Sequence, residues 1–191
     1  MSSTPRPVAL ASITPQPWRN GGGSTRELYA WPARGDWRAR ISVADVARDG
    51  PFSAYPGVTR WFAVIDGAGV DLEFASGNMR VLHGAPPLRF AGEEAPACRL
   101  VGGPTRDLNL MLRGVDGAIV AAVDHRPWSP AGVACGLYAS VGGVCHVSDG
   151  RHRVEAHTLL WFDARPPVLR FAADADDGSP IGWWLQHGGV Q

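Results

Sequence analysis

Trp37-Arg38-Ala39-Arg40-Ile41-Ser42-Val43-Ala44-Asp45 alternates apolar and polar side chains with a period of two, which is the pattern of a strand. Trp37, Ala39, Ile41 and Val43 share one face and Arg38, Arg40 and Ser42 the other, so one face is buried and the other meets something polar. The strand follows a glycine-rich segment, Pro17-Trp18-Arg19-Asn20-Gly21-Gly22-Gly23-Ser24-Thr25-Arg26-Glu27. Three successive glycines invite a phosphate-binding reading, but a P-loop needs GxxxxGK(S/T) between a strand and a helix, and neither lysine nor helical run follows. The alternative is a tight turn that uses positive φ, which glycine adopts without a steric penalty.

The same alternation recurs outward from this stretch. In Asp107-Leu108-Asn109-Leu110-Met111-Leu112-Arg113 the leucines share a core face, opposite Asp107, Asn109 and Met111. In Val58-Thr59-Arg60-Trp61-Phe62-Ala63-Val64-Ile65, Arg60 shares its face with Phe62 and Val64 and so interrupts an apolar row. Glycine (24) and proline (16) recur often enough to cut the chain into short pieces, with little room for helices. The chain therefore reads as all-β, a barrel or jelly roll. Expected strands include Val8 to Thr14, Thr25 to Trp31, Trp37 to Ala44, Thr59 to Ile65, Asp107 to Arg113, Val133 to Ala139 and Thr158 to Phe162; the one helical turn is expected around Ala44 to Arg48.

At 191 residues the chain suits one sizeable domain or two small fused barrels. A seam is expected at Arg113 to Gly117, dividing residues 1–113, which carry polar residues on alternate strand positions, from residues 114–191, whose strands are mostly apolar. The 18 basic and 18 acidic side chains balance, so no overall field draws the protein to nucleic acid or to an anionic membrane. No cationic start with an apolar core is present at the N-terminus and no apolar run has the length of a membrane span, which makes a cytoplasmic location the expectation.

Cys98, Cys135 and Cys145 are odd in number and lack a CxxC, so they read as buried thiols. The six histidines form neither HxH nor HExxH, and His152 and His157 fall out of register on either a strand or a helix; no metal site is expected. There is no GxSxG to mark a nucleophile. The eight tryptophans, Trp161 and Trp183-Trp184 among them, read as barrel core.

Arg60 is the unusual residue. A buried guanidinium left unpaired costs about 3–5 kcal/mol. One answer is an internal ion pair with Asp107, Glu73 or Asp45; the other is that the arginine clamps the carboxylate of a small ligand.

The Pro17–Glu27 and Trp37–Val46 segments, followed by Asp49-Gly50-Pro51-Phe52-Ser53, Pro56-Gly57-Val58-Thr59-Arg60 and Gly103-Pro104-Thr105-Arg106-Asp107-Leu108-Asn109-Leu110-Met111, together resemble the HutD/Ves family of the cupin superfamily over residues 17–113. The resemblance implies a cupin-type β-barrel, as a compact bicupin of two small fused barrels, in a cytoplasmic bacterial protein linked in part of the family to histidine utilisation. It brings no established catalytic activity. Metal-binding cupins place HxH and a following glutamate on adjacent strands, whereas the hairpin Ile65-Asp66-Gly67-Ala68-Gly69-Val70-Asp71-Leu72-Glu73 has no histidine, so a metal-free barrel without cofactor is expected. The resemblance carries Arg60 over as the pocket arginine, with Arg40, Ser42, Asp107 and Asn109 from the neighbouring motifs.

The leading expectation is thus a binding module for a small carboxylate, such as urocanate or formylglutamate, acting as a sensor or modulator of histidine utilisation. Arg60 clamps the acid, Arg40 adds a second positive charge, Asn109 and Ser42 orient it, Asp107 holds an arginine in place, and Thr25 and Arg26 line the mouth. The competing expectation is a metal-independent isomerase, lyase or hydrolase on the same acid, with Asp107, Glu27 or a histidine as acid or base. A third is a structural subunit that packs against a partner. A homodimer is left open.

Overall fold

The computed structural model describes residues 4–148, 150–175, 178 and 180–189. Within them the period-two segments become nineteen strands, and helix is confined to two three-residue 3-10 turns, Leu10–Ser12 and Gly92–Glu94. The chain divides into two units, Ile13–Gly114 and a second that joins Met1–Ser12 to Val115–Gln191. The division falls inside the expected Arg113 to Gly117 seam, but the N-terminal segment belongs elsewhere than the expected 1–113 grouping placed it. Arg6–Ala9 pairs antiparallel with Thr158–Phe162, Arg6 opposite Trp161 and Ala9 opposite Thr158. This strand is mostly exposed, so backbone hydrogen bonds rather than an apolar face attach it, and those leave no mark in the residue pattern. It also ends earlier than the expected Val8 to Thr14: the chain turns at Leu10, whose N–H donates to the His157 carbonyl at 2.9 Å.

In the Ile13–Gly114 unit, six strands pair antiparallel in the spatial order Gln16–Pro17, Gly23–Pro32, Trp37–Val46, Thr105–Leu112, Thr59–Asp66, Leu88–Ala91. A second sheet orders Gly50–Pro51, Ala97–Leu100, Gly69–Phe74, Gly77–Leu82. Phe62, Val64 and Phe90 of the first sheet pack against Val70, Leu72, Phe74, Val81 and Cys98 of the second, which closes the unit around its own core. The other unit repeats the plan. Cys135, Leu137, Leu160, Phe162 and Trp184 of a five-stranded sheet meet Cys145, Val154, Leu169 and Phe171 of a four-stranded one.

The helical turn expected around Ala44 to Arg48 does not form. Its first residues stay in the strand because both neighbours hold them: Val46 is opposite Gly23 on one side and Thr105 on the other. The next two backbone donors, at Ala47 and Arg48, both go to the Gly22 carbonyl. The Gly22 region is the turn that the glycine run suggested, with Gly21 at φ +65° and the Trp18 N–H closing onto the Gly23 carbonyl at 2.9 Å. Two further strands have no alternating signature: Leu88–Ala91, which follows a Pro-Pro pair, and the polar Gly150–Val154, which forms against Gly143–Val147. Trp161, Trp183 and Trp184 are buried, and so are all three cysteines, whose thiols burial pushes up to about 12 and thereby leaves unreactive. Among the described residues no helix is long and apolar enough to cross a membrane.

Candidate functional site

Antiparallel register brings the polar rows of three strands onto one face. Met111 lies between Arg40 and Arg60, Asn109 between Ser42 and Phe62, and Asp107 between Ala44 and Val64. All of these except Val64 line a cavity of about 550 Å³ within the Ile13–Gly114 unit, which Trp18, Thr25, Phe52 and Tyr55 complete. The face expected to meet something polar is therefore itself inside: Ser42, Arg60, Asp107 and Asn109 are all buried.

Arg60 is 5% exposed. Its Nη2 donates to Asn109 Oδ1 at 2.8 Å, while its Nε is buried with no partner, and no carboxylate among the described residues pairs with it. The internal ion pair weighed above is absent: Asp45 pairs with Arg26 and Arg106, Glu73 with Arg99, and Asp107 with no arginine among the described residues. Instead the guanidinium lies near three rings, 4.9 Å from the centroid of Phe52, 5.0 Å from Phe90 and 5.9 Å from Tyr55. Burial lowers its pKa to about 10, and nearby Arg40 pushes the same way against Tyr55 and Asp107. The side chain stays charged at neutral pH, with a hydrogen-bond direction left unused.

Asp107 is fully buried and does not hold an arginine, contrary to expectation. Its Oδ2 accepts a 3.3 Å hydrogen bond from the Thr105 hydroxyl, and its Oδ1 has no partner. Burial pushes its carboxyl up to about 7, with Asp45 adding to the rise and Thr105 and Arg60 opposing it. The acid that steadies a cavity arginine is Glu27, whose Oε2 accepts from Arg40 Nε at 2.8 Å. Arg40 is thus compensated, and its Nη1 also reaches Met111 Sδ at 3.8 Å.

Thr25 is among the residues that line the cavity, and its hydroxyl accepts from Trp18 Nε1 at 2.8 Å, which fixes the indole against the same lining. Arg26, one residue on, points to the opposite face, where it pairs with Asp45. Arg106 joins the same carboxylate at 2.8 Å. Burial raises the Asp45 carboxyl, but the hydrogen bonds from Arg106 and Arg26 outweigh it and hold the pKa below the ordinary value. Arg26 is therefore structural and not part of the mouth. Phe52 and Tyr55 were missed as site residues. Their segment has no periodicity; the one available signal was the place of Phe52 in the Asp49–Ser53 motif block, and Tyr55 falls between that block and Pro56–Arg60.

The cavity lining does not suit a divalent cation: it sets the guanidiniums of Arg19, Arg40 and Arg60 against the single carboxyl of Asp107, its other polar groups are amides and hydroxyls, and no three His, Cys, Asp or Glu residues cluster among the described residues.

Two antiparallel sheets closed around a core, with a cavity lined by inward strand rows, define a cupin-type β-barrel. The chain aligns with a cupin 2 conserved barrel domain protein from Leptotrichia buccalis over 94% of both chains, with a TM-score of 0.56 at 11% identity. More narrowly, it belongs to the HutD family, whose model matches residues 10–178. It is 33% identical over 134 residues to Protein Ves of Citrobacter koseri, covering 69% of this chain and 70% of that protein. The structure of HutD from Pseudomonas fluorescens SBW25, solved in a formate condition, aligns with 97% of this chain and all of its own at a TM-score of 0.81 and 23% identity.

Proposed function

We propose that the cavity receives a small carboxylate, an intermediate of histidine degradation such as urocanate or formylglutamate, and that the protein acts in the cytoplasm as a sensor or modulator of histidine utilisation. The observation that carries this reading is the unpartnered Nε of Arg60, a charged donor held among rings with no carboxylate partner among the described residues. Arg60 clamps the acid, Arg40 adds positive potential while tethered to Glu27, and Asn109 and Ser42 orient the ligand. The family's name points to histidine utilisation, and the structure of the Pseudomonas fluorescens relative comes from a formate condition, formate being the smallest carboxylate. A hydrogen bond to a charged group contributes about 1.5–3 kcal/mol net, so a few such contacts support micromolar to millimolar affinity. Isothermal titration against urocanate, formylglutamate and formate tests this. Binding of at least one, weakened roughly ten- to hundredfold in Arg60→Ala, is expected; binding of none, or undiminished binding in the variant, ends the proposal.

Asp107 favours a second reading. A carboxyl raised to about 7 inside the cavity suits a general base, as a metal-independent isomerase, lyase or hydrolase requires. Mass spectrometry of the same acids, incubated with protein, decides between the two: product in proportion to protein concentration supports catalysis, and unchanged acids dismiss it.

A further inference from the structure

Two buried polar atoms of the cavity have no partner, and they are opposite in kind. Arg60 Nε is a donor and Asp107 Oδ1 an acceptor. Both side chains are more than nine-tenths buried, and both belong to the inward row. The Arg60 guanidinium leans toward Asn109, to which it is bonded. Asp107 lies two residues further along the same strand and on the same face, about 7 Å away by strand rise. A ligand that offered only a carboxylate would satisfy Arg60, leave Asp107 Oδ1 orphaned, and bring a second negative charge toward it. A ligand that offered only a donor would leave Arg60 unanswered.

We infer that the cavity selects an acid that also carries an N–H donor, with its carboxylate on Arg60 and its N–H on Asp107 Oδ1. The inference rests on the carboxylate reading of Arg60 and adds the second recognition element. With each hydrogen bond near 2.9 Å and the ligand seated above the row, the two ligand groups stand roughly 4–7 Å apart. That spacing suits a compact chain and excludes a bare acid such as formate as the best occupant.

A matched pair of probes isolates the N–H. 4-Acetamidobutanoate and 6-oxoheptanoate differ only by an N–H in place of a CH₂, and 3-acetamidopropanoate and 5-oxohexanoate form a shorter pair. Titration calorimetry of the full chain is expected to show at least one acetamido acid binding roughly ten- to hundredfold tighter than its ketone counterpart. In Asp107→Leu the ratio falls to near one; Asp107→Asn, which retains an acceptor oxygen, keeps part of the preference. Equal affinities within both pairs in the wild-type protein overturn the inference and leave the Arg60 reading standing. Binding of no probe overturns both. The wild-type ratios decide the matter even if a variant fails to fold.

Discussion

Replacing Arg60 with methionine should raise stability and abolish binding together. The guanidinium is 5% exposed, and burial holds its pKa at about 10, between two and three pH units below the ordinary guanidinium value. At about 1.4 kcal/mol per pH unit, holding that charge in the barrel costs about 3 kcal/mol. Methionine has comparable reach, and its thioether contacts with the Phe52, Tyr55 and Phe90 rings, about 0.3–1.5 kcal/mol, offset much of the lost cation–π attraction, about 0.5–2 kcal/mol. Asn109 Oδ1 loses its donor, at a cost of about 1 kcal/mol where it faces the cavity.

The balance is a gain of about 1–2 kcal/mol, or roughly 2–8 °C in Tm for a chain of this size. Urea unfolding and calorimetry at pH 7 on both proteins measure it. Added ligand should raise the wild-type Tm and leave that of Arg60→Met unmoved. If the variant loses more than about 1 kcal/mol, the guanidinium is satisfied by the protein itself and the reasoning from its orphaned Nε fails.

Asp107 predicts an unusual pH profile. Between the ordinary carboxyl value of 3.8 and its folded value of about 7, the folded chain keeps a proton that the unfolded chain has lost. Its contribution to stability therefore falls as pH rises through that window, by about 4 kcal/mol, and levels off above it; urea unfolding from pH 5 to 8 should show this slope in the wild type and not in Asp107→Asn, and parallel profiles would contradict it. Glu27→Gln frees Arg40 from its compensating charge, so the acid ligand should bind several-fold tighter by titration while the protein loses about 1–2 kcal/mol in urea unfolding. Gly23→Ala places a Cβ 2.2 Å from the Asp45 carbonyl oxygen, a backbone atom that cannot step aside, so a loss of about 1–3 kcal/mol is expected; a Tm within 1 °C of wild type would show that the two strands separate more readily than this packing implies.

Much of the site was legible because strands write their faces into the chain at every second residue. Arg40 and Ser42 on one strand, Asp107, Asn109 and Met111 on another, and Arg60 on a third could be assigned to polar or anomalous rows before any pairing was known. Arg26 shows the limit of that reasoning: adjacency to Thr25 in a motif suggested a shared mouth, yet neighbours on a strand face opposite ways, and Arg26 turns to Asp45. Phe52 and Tyr55 arrive from an irregular segment with no period to read. Arg6–Ala9 joins the far end of the chain through a backbone ladder, and hydrogen bonds between main chains carry no residue signature.

Local chemistry, period-two patterning and frequent glycine and proline were sufficient to make this chain all-β and to put a guanidinium in an apolar row. Whether that guanidinium had a partner was a different kind of question. Ion pairing depends on which acids come within a few ångströms, and that depends on the register between strands many residues apart. Once the strands paired, Glu27 went to Arg40 and Asp45 to Arg26 and Arg106, while Asp107 stopped short of any arginine and Arg60 kept one donor unanswered. Side-chain order along a strand is a local property, whereas the competition among buried charges is settled only when the whole barrel has closed.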